Sequence, residues 1–323
     1  MFHSLRSGIF AAGLAAIATA TPAQDTRITF GGGAYPDIPQ LSVAMDHGLF
    51  ARHGLDVNVI PFQSGRAAFE ALLGGQLDMA VMAEFPAVIG AMRAQPFKVV
   101  AELSQYRATR IIHAGPAEID TVAELEGQRI GVTAGTNVHF WLENELEAAN
   151  IEAEIVSVGP PDIVPALARG DILAGAMFPS FYGGARTTLG DRYREIPISS
   201  YNTRFILVAT QTIIDDKPDA VSAALSALLE AEGVVLSDPA ESHRAVSRVL
   251  GGTLKPEDVA SASGNYRFHI NLDAGLLDLM VDEGVWINAR GSIKGDVPTA
   301  ASIGAYIDDS FLSGLDANRV SLD

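Results

Sequence analysis

The chain has 323 residues, of which 48% are hydrophobic and 19% are charged, a composition typical of a globular protein rather than a disordered one. Its formal net charge of −17 would repel a polyanion, which disfavours binding to nucleic acid. The sequence contains no cysteine, which excludes disulfides, thiolate nucleophiles, iron–sulfur clusters and zinc sites with cysteine ligands. The length is that of about two domains.

The first segment, residues 1–23, has the pattern of a secretory signal peptide. Arg6 supplies a positive charge, residues 9–20 are apolar, and small residues near Ala20 and Ala23 suit cleavage. The apolar run is shorter than the ~20 residues that cross a bilayer, so a membrane anchor is disfavoured. We expect no later membrane span, and therefore an exported, soluble protein in the periplasm of a Gram-negative bacterium.

Beyond the signal segment, apolar residues follow strand and helix periods in alternation. The predicted strands are 27–30, 55–61, 79–83, 97–103, 110–113, 129–132, 155–158 and 174–178, and the predicted helices are 41–50, 65–73, 122–125, 137–149 and 162–169. After about residue 218 the pattern is mostly helical. Strands that alternate with helices predict βαβ units, so we expect an α/β fold with mostly parallel sheets flanked by helices.

One segment of the chain repeats. Residues 55–82 align with residues 150–177 at a constant offset, so that Gly75 falls on Gly170. Either any two βαβ units look this similar, or the chain forms two similar α/β lobes that face each other. On the second interpretation, the last third of the chain returns to the first lobe. The expected boundaries are 24–109 plus 202–323 for lobe I and 110–201 for lobe II.

Candidate ligand contacts follow from this architecture. In open α/β sheets, ligands bind beyond the carboxyl ends of the strands, where helix N-termini offer unpaired N–H groups. Ser64 and Thr136 occupy such positions, although both could be plain helix caps. Glu84 follows a buried strand and needs a partner, either a protein cation or a ligand donor. The candidates at these strand ends are Tyr35, Ser64, Gly65, Arg66, Glu84, Phe85, Gly135, Thr136 and Asn137.

The chain lacks the common catalytic and metal motifs. Ser64 is not in a G-x-S-x-G turn, and His47 and His53 are not at the spacing of a helical zinc pair. The glycines of Gly31–Gly33 lack the third glycine of a dinucleotide-binding loop. We therefore expect no catalytic residue, no metal and no cofactor.

Five motifs follow one another along the chain. They are Gly48–Phe50 with Gly54–Val57, Leu73–Asp78, Glu84–Pro86, Leu125–Val132 and Gly135–Phe140. In this order they resemble the exported solute-binding proteins of ABC importers for aliphatic sulfonates, taurine, nitrate and thiamine precursors. The resemblance covers nearly the whole mature chain and is greatest for the sulfonate-binding members.

The resemblance implies a two-lobe, type II periplasmic binding protein fold that closes around a small solute in the cleft between the lobes. The partners it implies are this solute and an inner-membrane ABC permease with its ATPase, and we expect a monomer. The segment Met177–Ser180 lacks the acidic residue that the family often carries there, and it places Phe178 at the cleft. Arg204 is a further candidate, either for an anionic ligand group or for a surface ion pair, and Tyr266 is another.

The ligand remains open between several chemistries. Arg66, Arg204 and the helix N-termini favour an anionic head such as a sulfonate or carboxylate, whereas Glu84 favours an amine. A zwitterion such as taurine satisfies both, and a pyrimidine or thiamine-precursor heterocycle is an alternative. A sensory receptor would share this fold and cleft. An enzyme similar to the thiamine-precursor synthases is the remaining alternative, although the Cys-rich motif of those enzymes is absent here.

Overall fold

The computed structural model describes residues 26–32, 36–116 and 118–322; the predicted signal peptide lies outside them, as does the candidate Tyr35. The described residues form twelve strands. They are β1 (Thr26–Gly31), β2 (Leu55–Ile60), β3 (Met79–Ala83), β4 (Phe97–Tyr106), β5 (Arg110–His113), β6 (Arg129–Val132), β7 (Glu154–Ser157), β8 (Ala174–Ala176), β9 (Arg194–Pro197), β10 (Thr203–Thr210), β11 (Tyr266–Asp273) and β12 (Val320–Ser321).

Helices cover these strands. They are α1 (Pro39–Asp46), α2 (Leu49–Arg52), α3 (Gly65–Leu73), α4 (Phe85–Met92), α5 (Asn137–Ala148), α6 (Ile163–Arg169), α7 (Tyr182–Leu189), α8 (Gln211–Asp216), α9 (Pro218–Ser237), α10 (Pro239–Val249), α11 (Pro256–Ser263), α12 (Ala274–Ala289), α13 (Ala300–Gly304) and α14 (Ser310–Leu315). The predicted helix 41–50 is two helices, because Gly48 adopts a left-handed conformation with φ of 63°. The predicted helix 122–125 is a single 3₁₀ turn.

The strands form two sheets. The larger has the order β12-β11-β4-β10-β3-β1-β2, and the smaller has the order β7-β6-β8-β5-β9. The larger sheet thus draws on two stretches of chain, 26–106 and 203–321, and the smaller sheet on 110–197 alone. The chain crosses between the sheets twice, through residues 107–109 and through residues 198–202.

Both sheets are mixed, which corrects the expectation of mostly parallel sheets. β1 pairs in parallel with β2 and β3, and β6 pairs in parallel with β7 and β8. By contrast, β10 is antiparallel to β3 and β4, and β5 is antiparallel to β8 and β9. The chain reaches β5 and β10 directly from the other sheet, through residues 107–109 and 198–202, and not through a helix that connects two strands of the same sheet. No crossover helix therefore imposes a parallel direction on these two strands.

The internal repeat corresponds to a shared topology. In the larger sheet, β1 lies between β2 and β3, and in the smaller sheet β6 lies between β7 and β8. In both, one helix joins the outer pair of strands: α3 in the first and α6 in the second. Parallel strands whose helices start at the same sheet edge bring several helix N-termini together, and this positions a site there.

Among the described residues, helix α9 has the length and the apolar composition of a membrane-spanning helix. The sequence analysis expected no such segment after the signal peptide. Half of the most apolar part of this helix is buried inside the protein. It packs against α1 and α2, and its buried residues include Val221, Leu225 and Leu228. This packing is that of a core helix of a globular protein.

Candidate functional site

A cavity of about 690 Å³ is walled by residues of both sheets and their helices. Its size is within the usual range of small-molecule sites. The larger sheet contributes the ends of β1, β2 and β3, part of α3, the loop after α10 and part of α11, and the smaller sheet contributes the start of α5 and the segment before α7. The predicted candidates in this wall are Ser64, Gly65, Arg66, Thr136, Asn137, Phe178 and Tyr266.

The N-terminus of α3 forms one part of the wall. The Ser64 hydroxyl accepts a hydrogen bond from the Ala67 backbone N–H at 3.2 Å and caps the helix. Gly65 lies so close to β3 that a Cβ atom there would be 2.5 Å from the Cβ of Met82. Glycine at this position therefore allows the helix to start directly against the sheet.

The N-terminus of α5 faces the cavity from the smaller sheet. The Thr136 hydroxyl donates to the Thr133 carbonyl at 2.7 Å, and no described side chain caps this helix. The Asn137 amide donates to the Thr203 hydroxyl at 3.3 Å, which connects the helix to β10 of the larger sheet. The first turn of α5 therefore presents backbone N–H groups and the positive end of its dipole to the cavity.

Arg66 joins the two sides of the cavity. Its Nη1 donates to the Ala134 carbonyl at 2.7 Å, and its Nε donates to Glu70 at 2.9 Å. A Cβ atom on Gly135 would lie 2.9 Å from the same Nη1, so the loop before α5 packs closely on the guanidinium. Gly135 itself is not in the cavity wall, and the Arg66 charge is already engaged by two acceptors.

Glu84 and Phe85 lie behind the cavity rather than in its wall. Glu84 is fully buried, and its carboxylate accepts hydrogen bonds from the Tyr201 hydroxyl and, at 2.9 Å, from the Arg204 backbone N–H. Its partners in the described chain are therefore a hydroxyl and a backbone amide rather than the protein cation that was one of the two expected alternatives. Phe85 stacks on Phe140 with ring centroids 5.6 Å apart.

A second buried carboxyl group, that of Glu283 on α12, lies beside Glu84. Burial, and then the charge of Glu84, hold the pKa of Glu283 well above its usual range. Burial also raises the pKa of Glu84, against the hydrogen bond from Tyr201. Two adjacent carboxyl groups removed from water cannot both be ionised at low cost, so the pair retains a proton.

Arg204 also lies outside the cavity wall. Its Nη1 donates to Glu102 and to Asp273, each at 2.7 Å. The Glu102 carboxylate is almost completely buried, and burial raises its pKa to about 7 despite the nearby guanidinium. The two carboxylates compensate the Arg204 charge. Of the two alternatives for Arg204, a ligand contact or a surface ion pair, the structure shows an ion pair, but one that is partly buried.

Sequence reasoning missed Asp37, a charged residue in the cavity wall. It is 8% exposed, and burial raises its pKa to about 7. Within residues 26–32, 36–116 and 118–322, its Oδ1 atom has no hydrogen-bond partner. Asp37 comes a few residues after the carboxyl end of β1. Polar residues at strand ends were the criterion for the other candidates, so the same criterion could have identified Asp37.

Two sheets joined by two crossings, with a cavity walled by both, define the periplasmic binding protein fold. The sulphonate-binding protein SsuA of Escherichia coli has this fold, with a TM-score of 0.73 and 18% identity over 87% of this chain and 97% of that one. The nitrate-binding protein NrtA of Synechocystis PCC 6803 shares it, with a TM-score of 0.71 and 14% identity over 91% and 89%.

The chain belongs to the NMT1/THI5-like family, whose model matches residues 36–242. It is also 25% identical to a protein of Brucella abortus (strain 2308) that is provisionally named as a binding protein. That alignment extends over 218 residues and covers 65% of this chain and 66% of the relative, just under two thirds of its length. Family and fold agree with the resemblance inferred from the five motifs.

Proposed function

We propose that this protein is the periplasmic solute-binding component of an ABC importer. The observation that carries the proposal is the cavity whose wall is shared by the two sheets. A solute in it touches lobe I, residues 24–109 and 202–323, and lobe II, residues 110–201. Such a solute binds the closed arrangement better than the open one and shifts the population toward it.

The two crossings supply the hinge in this proposal. Residues 107–109 and 198–202 are short, and they are the segments through which the chain passes from one sheet to the other. Contacts at the cavity then join the lobes directly: Arg66 to the Ala134 carbonyl, and Asn137 to Thr203. These contacts form only when the lobes are together, so they contribute to the closed state that docks on the permease.

The expected solute is small and organic, with an anionic or zwitterionic head of the sulfonate type. Support comes from the N-termini of α3 and α5, which approach the cavity from opposite lobes. Arg204 does not add to this support, because Glu102 and Asp273 compensate its charge. Binding and transport, without chemical conversion of the solute, account for these features.

Two adjacent glycines of α7 offer a matched test. Gly183 is in the cavity wall and Gly184 is not, and a Cβ atom on either meets nothing within 4 Å. Gly183→Trp should fill the cavity, whereas Gly184→Trp places the same side chain outside it. We expect a thermal-shift screen of sulfonates, carboxylates, amines and pyrimidines to yield a solute that stabilises the wild type and G184W but not G183W.

A binder at a hundredfold excess over Kd stabilises the protein by about 2.7 kcal/mol, which the screen detects. A deletion strain should then lose uptake of the same solute. A solute that stabilises G183W as much as the wild type would contradict the cavity as the site. Uptake that is unaffected by the deletion would contradict the importer proposal and favour a sensory receptor.

A further inference from the structure

Asp37 combines burial, charge and an unsatisfied oxygen in the wall of the cavity. Its backbone carbonyl accepts a hydrogen bond from the Ser104 hydroxyl of β4, which fixes the residue in place. Its side chain is buried with an Oδ1 atom that no described group contacts by a hydrogen bond. A buried polar atom without a partner costs about 1–3 kcal/mol. Such atoms in native structures call for an explanation, and a role in accepting a hydrogen bond from a ligand is one.

The surroundings of Asp37 are apolar and aromatic. Tyr266 is close enough that the Asp37 charge contributes, after burial, to raising the pKa of the tyrosine hydroxyl. The Tyr266 ring is 6.3 Å from that of Phe205 and stacks on Phe268 at 5.6 Å between centroids. Tyr266 and Phe205 are both in the cavity wall, so the carboxylate lies beside a surface suited to the apolar body of a solute.

Other charged groups in the described wall do not neutralise Asp37. Arg66 is engaged by Ala134 and Glu70, and Asp258 is exposed and accepts from the Lys255 backbone N–H. The Asp37 carboxylate is therefore buried in the cavity wall, and none of the described wall residues supplies a cation that pairs with it.

We propose that Asp37 determines specificity by accepting a hydrogen bond from the protonated amine of a solute with an apolar body. This proposal rests on the proposed function, because it names a chemical group of the solute that the cavity binds. The amine supplies both an N–H donor for Oδ1 and a positive charge beside the carboxylate. The rest of a zwitterionic solute can still reach the N-termini of α3 or α5, since both belong to the same wall.

The same geometry links binding to pH. Burial raises the pKa of Asp37 to about 7, and a protonated carboxyl group cannot pair with a cation. Affinity for an amine should therefore fall as the pH drops below about 7, approaching tenfold per unit. The titratable and charged groups that face this carboxyl group, or share its wall, are Tyr266, Arg66 and Asp258.

The test compares three probes of similar shape: benzylamine, which is cationic, benzyl alcohol, which is neutral, and benzenesulfonate, which is anionic. Calorimetric titration is carried out with the mature wild-type protein, with Asp37→Asn, and with Asp56→Asn as a control at an exposed carboxylate of β2. We expect benzylamine to bind the wild type and D56N equally. D37N should bind it about 10- to 150-fold more weakly and lose the pH dependence, since a charge-assisted hydrogen bond is removed.

D37N keeps the shape of the side chain and the Ser104 contact, so it should unfold no earlier than the wild type. Equal benzylamine affinity in wild type and D37N would overturn the proposal, as would failure of benzylamine to bind. Binding of benzenesulfonate that D37N weakens as much as binding of benzylamine would also overturn it, while leaving the proposed solute receptor standing. The cavity as the solute site fails only if G183W leaves solute binding intact, and the importer proposal fails only if the deletion leaves uptake intact.

Discussion

Replacing Glu283 by glutamine should stabilise the protein increasingly as the pH rises. Glu283 and Glu84 are both fully buried, and burial together with the Glu84 charge keeps the pKa of Glu283 well above its ordinary value of 4.5. The folded protein therefore holds a proton that the unfolded chain releases. The stabilisation by such a group is complete below the unfolded pKa and decreases as the pH rises through the folded pKa.

The magnitude follows from this linkage. Between the ordinary glutamate value and the folded pKa, the wild type loses about 1.4 kcal/mol of unfolding free energy per pH unit through this proton. The amide introduced by E283Q is neutral at every pH, and its N–H group replaces the O–H group of the protonated Glu283 as a donor beside Glu84. The unfolding free energy of the variant should therefore lose this dependence on pH. The difference in unfolding free energy between E283Q and the wild type should therefore increase by about 1.4 kcal/mol per unit above about pH 5.

Urea unfolding followed by circular dichroism at a series of pH values upward from about 5 measures this difference. The control is Glu118→Gln, at an exposed position, which should follow the wild type at each pH. A difference between E283Q and the wild type that is constant across this range would refute the reasoning. It would mean that the two carboxyl groups titrate as solvated groups and hold no extra proton in the folded state.

Further substitutions and one mass measurement extend these tests. Arg204→Met should lower stability by about 3 kcal/mol at pH 8, since it leaves the buried Glu102 without its cation, and by less at pH 5, where Glu102 takes up a proton; urea unfolding measures both. Glu84→Gln should lower stability but change calorimetric solute affinity by less than about twofold, because the carboxylate lies outside the cavity wall. Thr136→Ala should cost about 1 kcal/mol of stability through its lost hydrogen bond to a loop carbonyl. Mass spectrometry of a periplasmic extract should find a mature N-terminus within Thr21–Asp25, and an intact chain in the membrane fraction would contradict export.

Local apolar patterns were enough to predict much of the fold. The strands β3, β5 and β6 have the predicted bounds, because each is built around a short apolar segment. Strand direction could not be predicted in this way. It depends on which sheet the chain comes from at the two crossings, and residues 107–109 and 198–202 carry no local signal of that choice.

The candidate site shows the same division. The positions of Ser64, Thr136 and Asn137 in the cavity wall follow from strand ends and helix starts, which are local features. The environment of Glu84 depends on Tyr201 and Glu283, which are distant in sequence and have no pattern that links them to it. Partner choice for a buried charge is therefore set by long-range packing, which one sequence does not display.

The claim that the protein closes on a solute is tested most directly by the distance between its lobes. The chain has no cysteine, so Gln76→Cys with Thr188→Cys allows two dyes to be attached at exposed positions beyond α3 and on α7. Single-molecule energy transfer between them should rise at saturating concentrations of the solute selected in the thermal-shift screen. A pair at Gln76 and Glu257, both carried by the larger sheet's stretches of chain, should not change. Energy transfer that stays constant in the first pair at saturation, or changes equally in both pairs, would contradict hinge closure.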